Sequence, residues 1–278
     1  MKVYKLNQAI LLESDNSFYS VDHQDWDQLV NRDDLFDFLH SSIASLSPVD
    51  NAQELLEKEL QAPIQNQEIW ASGVTYYRSR TARMEESKEA GGGDFYDRVY
   101  DAERPELFFK STAQRAVGPG GKVKIRQDST WDVPEPELTL FINSNAKIVG
   151  YTIGNDMSSR SIEGENPLYL PQAKTYDRSA SIGPCLYVPG KALAAETLIS
   201  LDILRGGVSQ FQDQIPISQM KRGHQELVDY LYRETTFPFG CYLMTGTGIV
   251  PPNEFTLEQG DEIKISIEGI GTLINTVG

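Results

Sequence analysis

With 278 residues, of which 40% are hydrophobic and 23% charged, the chain can bury one large globular core, with or without a small appended unit. A formal net charge of −15 argues against nucleic acid and anionic membrane as partners, since both require clustered Lys and Arg, and no apolar run approaches the roughly 20 residues that span a bilayer. Met1 to Leu6 lacks the apolar core of a secretory signal, and Cys185 and Cys241 fit no metal or redox spacing, so a reducing, cytoplasmic setting is expected.

In chain order, Val3–Leu12 and Phe18–Val21 read as short strands around the polar turn at Glu13–Asn16. Asp25–Leu46 and Ala52–Leu60 read as helices, with Leu35, Phe38 and Leu39 at helical spacing. These segments make residues 1–65 a small N-terminal α+β unit without visible chemistry, followed by a catalytic unit over 66–278. Ile69–Val74 is strand-like and precedes a charged amphipathic helix from about Tyr77 to Glu89. Gly91, Gly92 and Gly93 break that helix and read either as a mobile lid or as a plain surface loop. Further strands are expected at Glu106–Lys110, Leu138–Ile142, Lys147–Ile153, Cys185–Val188, Leu198–Leu204, Glu262–Ile267 and Gly271–Val277. A strand also runs from Cys241 into the Thr/Gly turn at Thr245–Thr247, Ser158–Gly183 reads as loop-rich, and His224–Thr235 reads as a helix with a core stripe of Leu227, Val228 and Leu231. Many short strands with few helices indicate an α+β fold with a β-rich core.

The most informative stretch is Glu135-Pro136-Glu137 with Asp156. Residues two apart on a strand share a face, so Glu135 and Glu137 point the same way. A hairpin turning at Ser144–Asn145 would place Gly154 opposite Glu135 and Asp156 one diagonal step away. Three carboxylates so close repel one another unless a cation neutralises them, and a hard dication with oxygen ligands such as Mg²⁺ is the natural occupant. In a chain with 40 acidic residues, solvated strand-end carboxylates are the competing reading. An anionic ligand would need a local cationic pocket; Arg78, Arg80, Lys110, Arg115, Arg160, Lys174 and Arg178 all lie between positions 78 and 178.

From about Glu68 onward the chain resembles the fumarylacetoacetate hydrolase superfamily. The resemblance is carried, in the family's order, by Trp70–Tyr76, Pro105–Lys110, Glu135–Leu138, Gly150–Asp156, Ser181–Pro184 and Thr245–Thr247. It implies a mixed β-sandwich roll with a small N-terminal domain, assembly as a homodimer or dimer of dimers, and Mg²⁺ or Mn²⁺ held by Glu135, Glu137 and Asp156. Tyr100–Glu106, Trp131–Glu137 and Glu165–Lys174 are similar to the branch that dehydrates 2-keto-3-deoxy sugar acids. By that resemblance Lys174 and Glu106 lie near a small anionic 2-keto acid, Lys174 as the proton-transfer group and Glu106 as the residue that positions water or assists the departing hydroxyl. Each has a plainer alternative, Lys174 as a charge clamp and Glu106 as a paired strand-end carboxylate. Lys110, Arg80, Arg115, Thr245 and Thr247 are the expected substrate contacts.

The C–C hydrolases of the superfamily carry a histidine soon after the Gly-Val-x-Tyr motif. Here Tyr76–Glu86 contains none, although Glu85 or Glu86 could serve in part. The expected reaction is therefore dehydration through a metal-stabilised enolate, with hydrolysis or decarboxylation of a β-diketo acid as the rival.

Overall fold

The computed structural model describes residues 1–21, 25–79, 81 and 98–278. The first part of the chain forms β1 (Lys2–Lys5), β2 (Ile10–Ser14), β3 (Ser17–Val21), α1 (Trp26–Val30), α2 (Leu35–Ser42), β4 (Ser47–Pro48) and α3 (Ala52–Glu59). The expected strand Val3–Leu12 is two strands, because the chain reverses at Asn7–Gln8 and the Leu6 N–H donates to the Ala9 carbonyl at 2.9 Å. The expected helix Asp25–Leu46 is likewise broken. Asp25 caps α1 by accepting from the Asp27 and Gln28 N–H groups, and Asn31 ends it only five residues later.

The remainder contributes β5 (Glu68–Gly73), β6 (Glu106–Thr112), β7 (Ala116–Val117), β8 (Lys122–Val123), β9 (Asp132–Val133), β10 (Pro136–Ile142), β11 (Ile148–Asp156) and β12 (Ser158–Ser159). After these come α4 (Arg160–Glu165), α5 (Leu170–Lys174), β13 (Ala180–Tyr187), β14 (Leu198–Arg205), β15 (Val208–Pro216), α6 (His224–Leu231), β16 (Cys241–Met244), β17 (Glu262–Ile267) and β18 (Gly271–Val277). The stretch expected as loop-rich thus holds two short helices. Strand β15 is absent from the sequence reading because it is an edge strand with polar residues on both faces, which leaves no alternation to detect.

Eleven strands make one sheet in the order β4-β3-β2-β1-β13-β11-β10-β16-β5-β6, with β7 beside β13, and five make a second in the order β15-β14-β17-β18-β8. Most neighbours are antiparallel, but β16 with β5, β13 with β7 and β18 with β8 are parallel, which gives the mixed β-rich sandwich expected from the sequence. The N-terminal segment extends the large sheet directly, through Lys2 opposite Tyr187 and Val3 opposite Leu186.

Strand β10 is buried at all seven positions because the large sheet is covered on both faces. On one face Leu138, Leu140, Ile153 and Leu243 pack against Leu201, Ile203, Ile263 and Ile265 of the small sheet. On the other, Phe141, Tyr242, Met244 and Ile182 pack against Trp26, Leu29, Leu35 and Leu39 of the N-terminal helices. The carboxylates Glu135 and Glu137 share this second face, beyond the end of its apolar part.

Candidate metal centre

The hairpin register differs from the expected one. Glu137 stands opposite Gly154 and Pro136 opposite Asn155, and Glu135 and Asp156 exchange both main-chain hydrogen bonds at 3.2 and 3.0 Å. Asp156 is therefore directly across from Glu135, not diagonal to it, and Gly154 faces Glu137. The shift has two causes. The turn spans Asn143–Lys147, where the Asn143 carboxamide accepts from the Asn145 and Lys147 N–H groups and Ala146 takes a φ of 59°. The register then slips between Phe141 and Ile142, a bulge that adds one residue to the return strand. From the N-terminal segment, Asp33 accepts from the side chains of Asn143 and Asn145 at 2.7 and 2.9 Å and pins this turn.

Opposed residues in an antiparallel pair project on the same side, so the three carboxylates meet. Each offers an oxygen within 4.8 Å of the others, and all three side chains are buried. Gly154 makes the approach possible: a Cβ there would lie 2.3 Å from Thr139 Oγ1 and 3.1 Å from Met244 Cε. Gly154→Ala is expected to cost about 1–3 kcal/mol by overpacking, read as a lower midpoint in urea unfolding.

Among the described residues, three cations close around the trio. Lys174 Nζ lies 2.5 Å from Glu135 Oε2, 3.2 Å from Asp156 Oδ2, 2.6 Å from Ser158 Oγ and 3.7 Å from Glu163 Oε1. Arg160 donates to Glu135 Oε1 at 2.7 Å. Lys110 Nζ sits 2.5 Å from Asp156 Oδ1 and donates to the carbonyls of Met157 and Lys174. A bulge in β6 aims Lys110 this way: Ile69 pairs with Ser111 and Trp70 with Phe109, which leaves Lys110 as the extra residue. Burial pushes the Lys110 ammonium down to about 8 against the opposing pull of Asp156. Among the described residues no cation approaches Glu137 at this range, and Glu137 accepts from the Gly246 N–H at 2.5 Å. Burial first, then the charges of Asp156 and Glu135, hold its carboxyl well above the usual range.

This donor set fits a hard dication. Three carboxylate oxygens converge with one member penalised in its charged form, and two positive charges among them would remove that penalty. Glu135, Glu137 and Asp156 would hold the ion.

Of the other residues singled out in the sequence, Lys174 lies at the heart of the cluster. Lys110 is fully buried beneath Asp156, so its ammonium is spent on a carboxylate and two carbonyls. Glu106 pairs across the strands with Gly73, and its carboxylate lies over that glycine, where a Cβ would stand 2.1 Å from Oε2. It projects on the same side as Phe108, whose ring centroid is 5.8 Å from Lys174 Nζ.

Thr245 and Thr247 flank the Gly246 amide, but their hydroxyls bond to main chain: Thr245 donates to the Leu138 carbonyl at 2.8 Å, and Thr247 accepts from the Ile249 N–H at 3.1 Å. Arg115 is not brought into the cluster; its guanidinium carbon is 6.0 Å from the Phe109 ring centroid. Arg80, Glu85, Glu86 and the triple-glycine segment lie outside the described residues.

Sequence reasoning gave no particular role to Arg160, Glu163 or Ser158. All three are buried and follow Asp156 within seven residues, so a polar run directly after a metal-ligand candidate was the available signal.

Comparison with known proteins gives the family and its relatives. Residues 69–278 match the family described as fumarylacetoacetate (FAA) hydrolase C-terminal. The chain is 50% identical over 230 residues to a probable 2-keto-3-deoxyxylonate dehydratase of Haloferax volcanii, covering 82% of this chain and 78% of that protein. It is 42% identical over 217 residues to a 2-dehydro-3-deoxy-D-arabinonate dehydratase of Saccharolobus solfataricus, covering 77% and 73%. A solved structure of 2-keto-3-deoxy-D-arabinonate dehydratase complexed with magnesium and 2,5-dioxopentanoate superposes with a TM-score of 0.86 at 34% identity, over 100% of this chain and 98% of the other. A buried carboxylate trio on a mixed β-sandwich, with the family match spanning it, places this chain in the fumarylacetoacetate hydrolase family.

Proposed function

We propose that the protein is a Mg²⁺-dependent hydro-lyase that dehydrates a 2-keto-3-deoxy sugar acid, a pentonate giving 2,5-dioxopentanoate. The observation that carries this reading is Lys174 Nζ wedged between Glu135 and Asp156, at 2.5 and 3.2 Å, in a chain with extensive identity to two dehydratases. When bound, the dication would supply Lewis-acid polarisation of the 2-keto group, which acidifies the C3–H bonds.

Lys174 is fixed on three sides by Glu135, Asp156 and Ser158, so its nitrogen is held rather than searching, and it takes the C3 proton. The C4 hydroxyl departs as water, taking a proton from Glu106. The resulting unsaturated keto acid tautomerises to the 2,5-dioxo acid. Overall, one molecule of water is lost and no redox partner is needed.

Charge in the pocket is compatible with an anionic substrate. Among the described residues, the carboxylates Glu135, Glu137, Asp156 and Glu163 face the cations Lys110, Lys174 and Arg160, four negative charges against three positive. With a dication bound and Lys174 counted as the neutral base that takes the C3 proton, four negative charges stand against four positive, so the pocket itself does not repel an anionic substrate despite the charge of −15 on the whole chain. A cytoplasmic location and assembly as a homodimer belong to the same reading; among the described residues no helix is long and apolar enough to cross a membrane.

The test is incubation of the chelator-treated protein, with and without Mg²⁺, with 2-keto-3-deoxypentonate and separately with an acylpyruvate. Mg²⁺-dependent formation of the semialdehyde from the first supports dehydration. Pyruvate release from the second, with no turnover of the first, assigns C–C hydrolysis instead.

A further inference from the structure

Among the described residues, Glu137 is the member of the trio without a cation at contact distance; its close polar partner is a main-chain amide, the Gly246 N–H at 2.5 Å. An amide can serve that purpose only if the turn presenting it is rigid. Gly246 has a φ of +92°, a backbone conformation that favours glycine. The turn is fastened on two sides. From β10, the Leu138 carbonyl accepts both the Thr245 N–H, at 3.0 Å, and the Thr245 hydroxyl. From the chain after β5, the Thr75 hydroxyl donates to the Thr245 carbonyl at 2.7 Å, in full burial.

The second fastening holds the peptide bond that carries the critical amide, because the Thr245 carbonyl and the Gly246 N–H belong to one planar unit. Fixing the oxygen at one end fixes the direction of the N–H at the other. The fit is close: a Cβ on Gly246 would fall 2.0 Å from Thr75 Oγ1 and 2.9 Å from the Ser72 carbonyl.

The segment bearing Thr75 has an unusual backbone of its own. Val74, buried and β-branched, has a φ of +53°. Such residues rarely adopt this conformation, and where they do the surrounding structure holds them there. The left-handed residue redirects the chain after β5 and lets the next side chain meet the Thr245 carbonyl.

We propose that Thr75 is a positioning residue for the metal ligand Glu137, acting through the Thr245–Gly246 peptide to keep its N–H on the carboxylate. The inference deepens the metal-centre reading and rests on it, but not on the identity of the substrate. Partners of this kind orient a ligand so that it need not be ordered when the ion arrives, and losing one typically weakens metal binding about 10–100-fold.

Three variants test it, with Mg²⁺ affinity measured by calorimetry and by the rise in Tm with added Mg²⁺. Thr75→Val, which keeps shape and burial but removes the donor, is expected to raise the Kd for Mg²⁺ about 10-fold or more. Thr75→Ser, which keeps the hydroxyl, is expected to restore binding close to that of the natural protein. Should Thr75→Val fail to fold, Thr75→Ala removes the hydroxyl without adding a methyl group and carries the same expectation.

Binding of Mg²⁺ by Thr75→Val as tight as in the natural protein overturns the proposal. So does equal weakening in Thr75→Ser and Thr75→Val, which would assign the effect to packing. If the dehydratase reading fails, the natural protein still binds Mg²⁺ but does not turn over the sugar acid, a result distinct from either.

Discussion

Lys174→Met is expected to lower kcat for dehydration of 2-keto-3-deoxypentonate by about 10²–10⁴-fold, the range for loss of a positioned proton-transfer group. The substitution keeps the length and apolar stem of the side chain and removes only the ammonium that contacts Glu135, Asp156 and Ser158. Mg²⁺ affinity should be unchanged or tighter, because that ammonium competes with the ion for two of its three carboxylates. The combination is diagnostic: a residue that merely neutralised the pocket would alter metal affinity without this loss of kcat. Steady-state kinetics at saturating Mg²⁺, with calorimetric titration of the metal, measures both. A normal kcat with a raised KM would reassign Lys174 to holding the substrate carboxylate.

Glu137→Gln is expected to abolish turnover and to weaken Mg²⁺ binding by about two orders of magnitude or more, beyond the ~10–100-fold typical of losing an outer partner of a ligand. Glutamine keeps the shape of the side chain and can still accept from the Gly246 N–H, so the fold should survive. In the absence of metal the variant should melt at a higher temperature than the natural protein, since it removes one of three buried charges that repel one another. Melting curves with and without Mg²⁺ therefore cross over: the natural protein gains stability from the ion, and the variant does not. A normal rise in Tm with Mg²⁺ would remove Glu137 from the ligand set.

The cluster was legible in outline because the spacing of Glu135 and Glu137 obeys strand geometry and needs no tertiary information. The position of Asp156 relative to them was legible only to within two residues. A turn one residue longer and a bulge one residue wide decided that Asp156 faces Glu135 squarely, and the turn is held by Asp33, more than a hundred residues away. Lys110 shows the same limit from the other side. Expected among the substrate contacts, it is turned beneath Asp156 by the bulge in β6 and buried completely.

The Thr245–Thr247 turn reads as a source of hydroxyl and backbone N–H donors for a substrate carboxylate, and its glycine amide instead reaches the carboxylate of Glu137. Strand β15 escaped notice in the sequence. An edge strand wet on both faces has no hydrophobic period, and its pairing with β14 becomes evident only in space.

By itself, then, the sequence determined a β-rich α+β chain, the face shared by Glu135 and Glu137, and, through its motifs in order, the family. Strand period and residue chemistry are local properties, written one residue after another. Tertiary structure alone decided that three cations surround those carboxylates, that Arg160 and Glu163 belong with them, and that Thr75 reaches Glu137 through a distant turn. Those contacts join residues up to 170 apart along the chain, and their existence depends on register, bulges and backbone direction, which short-range patterns do not encode.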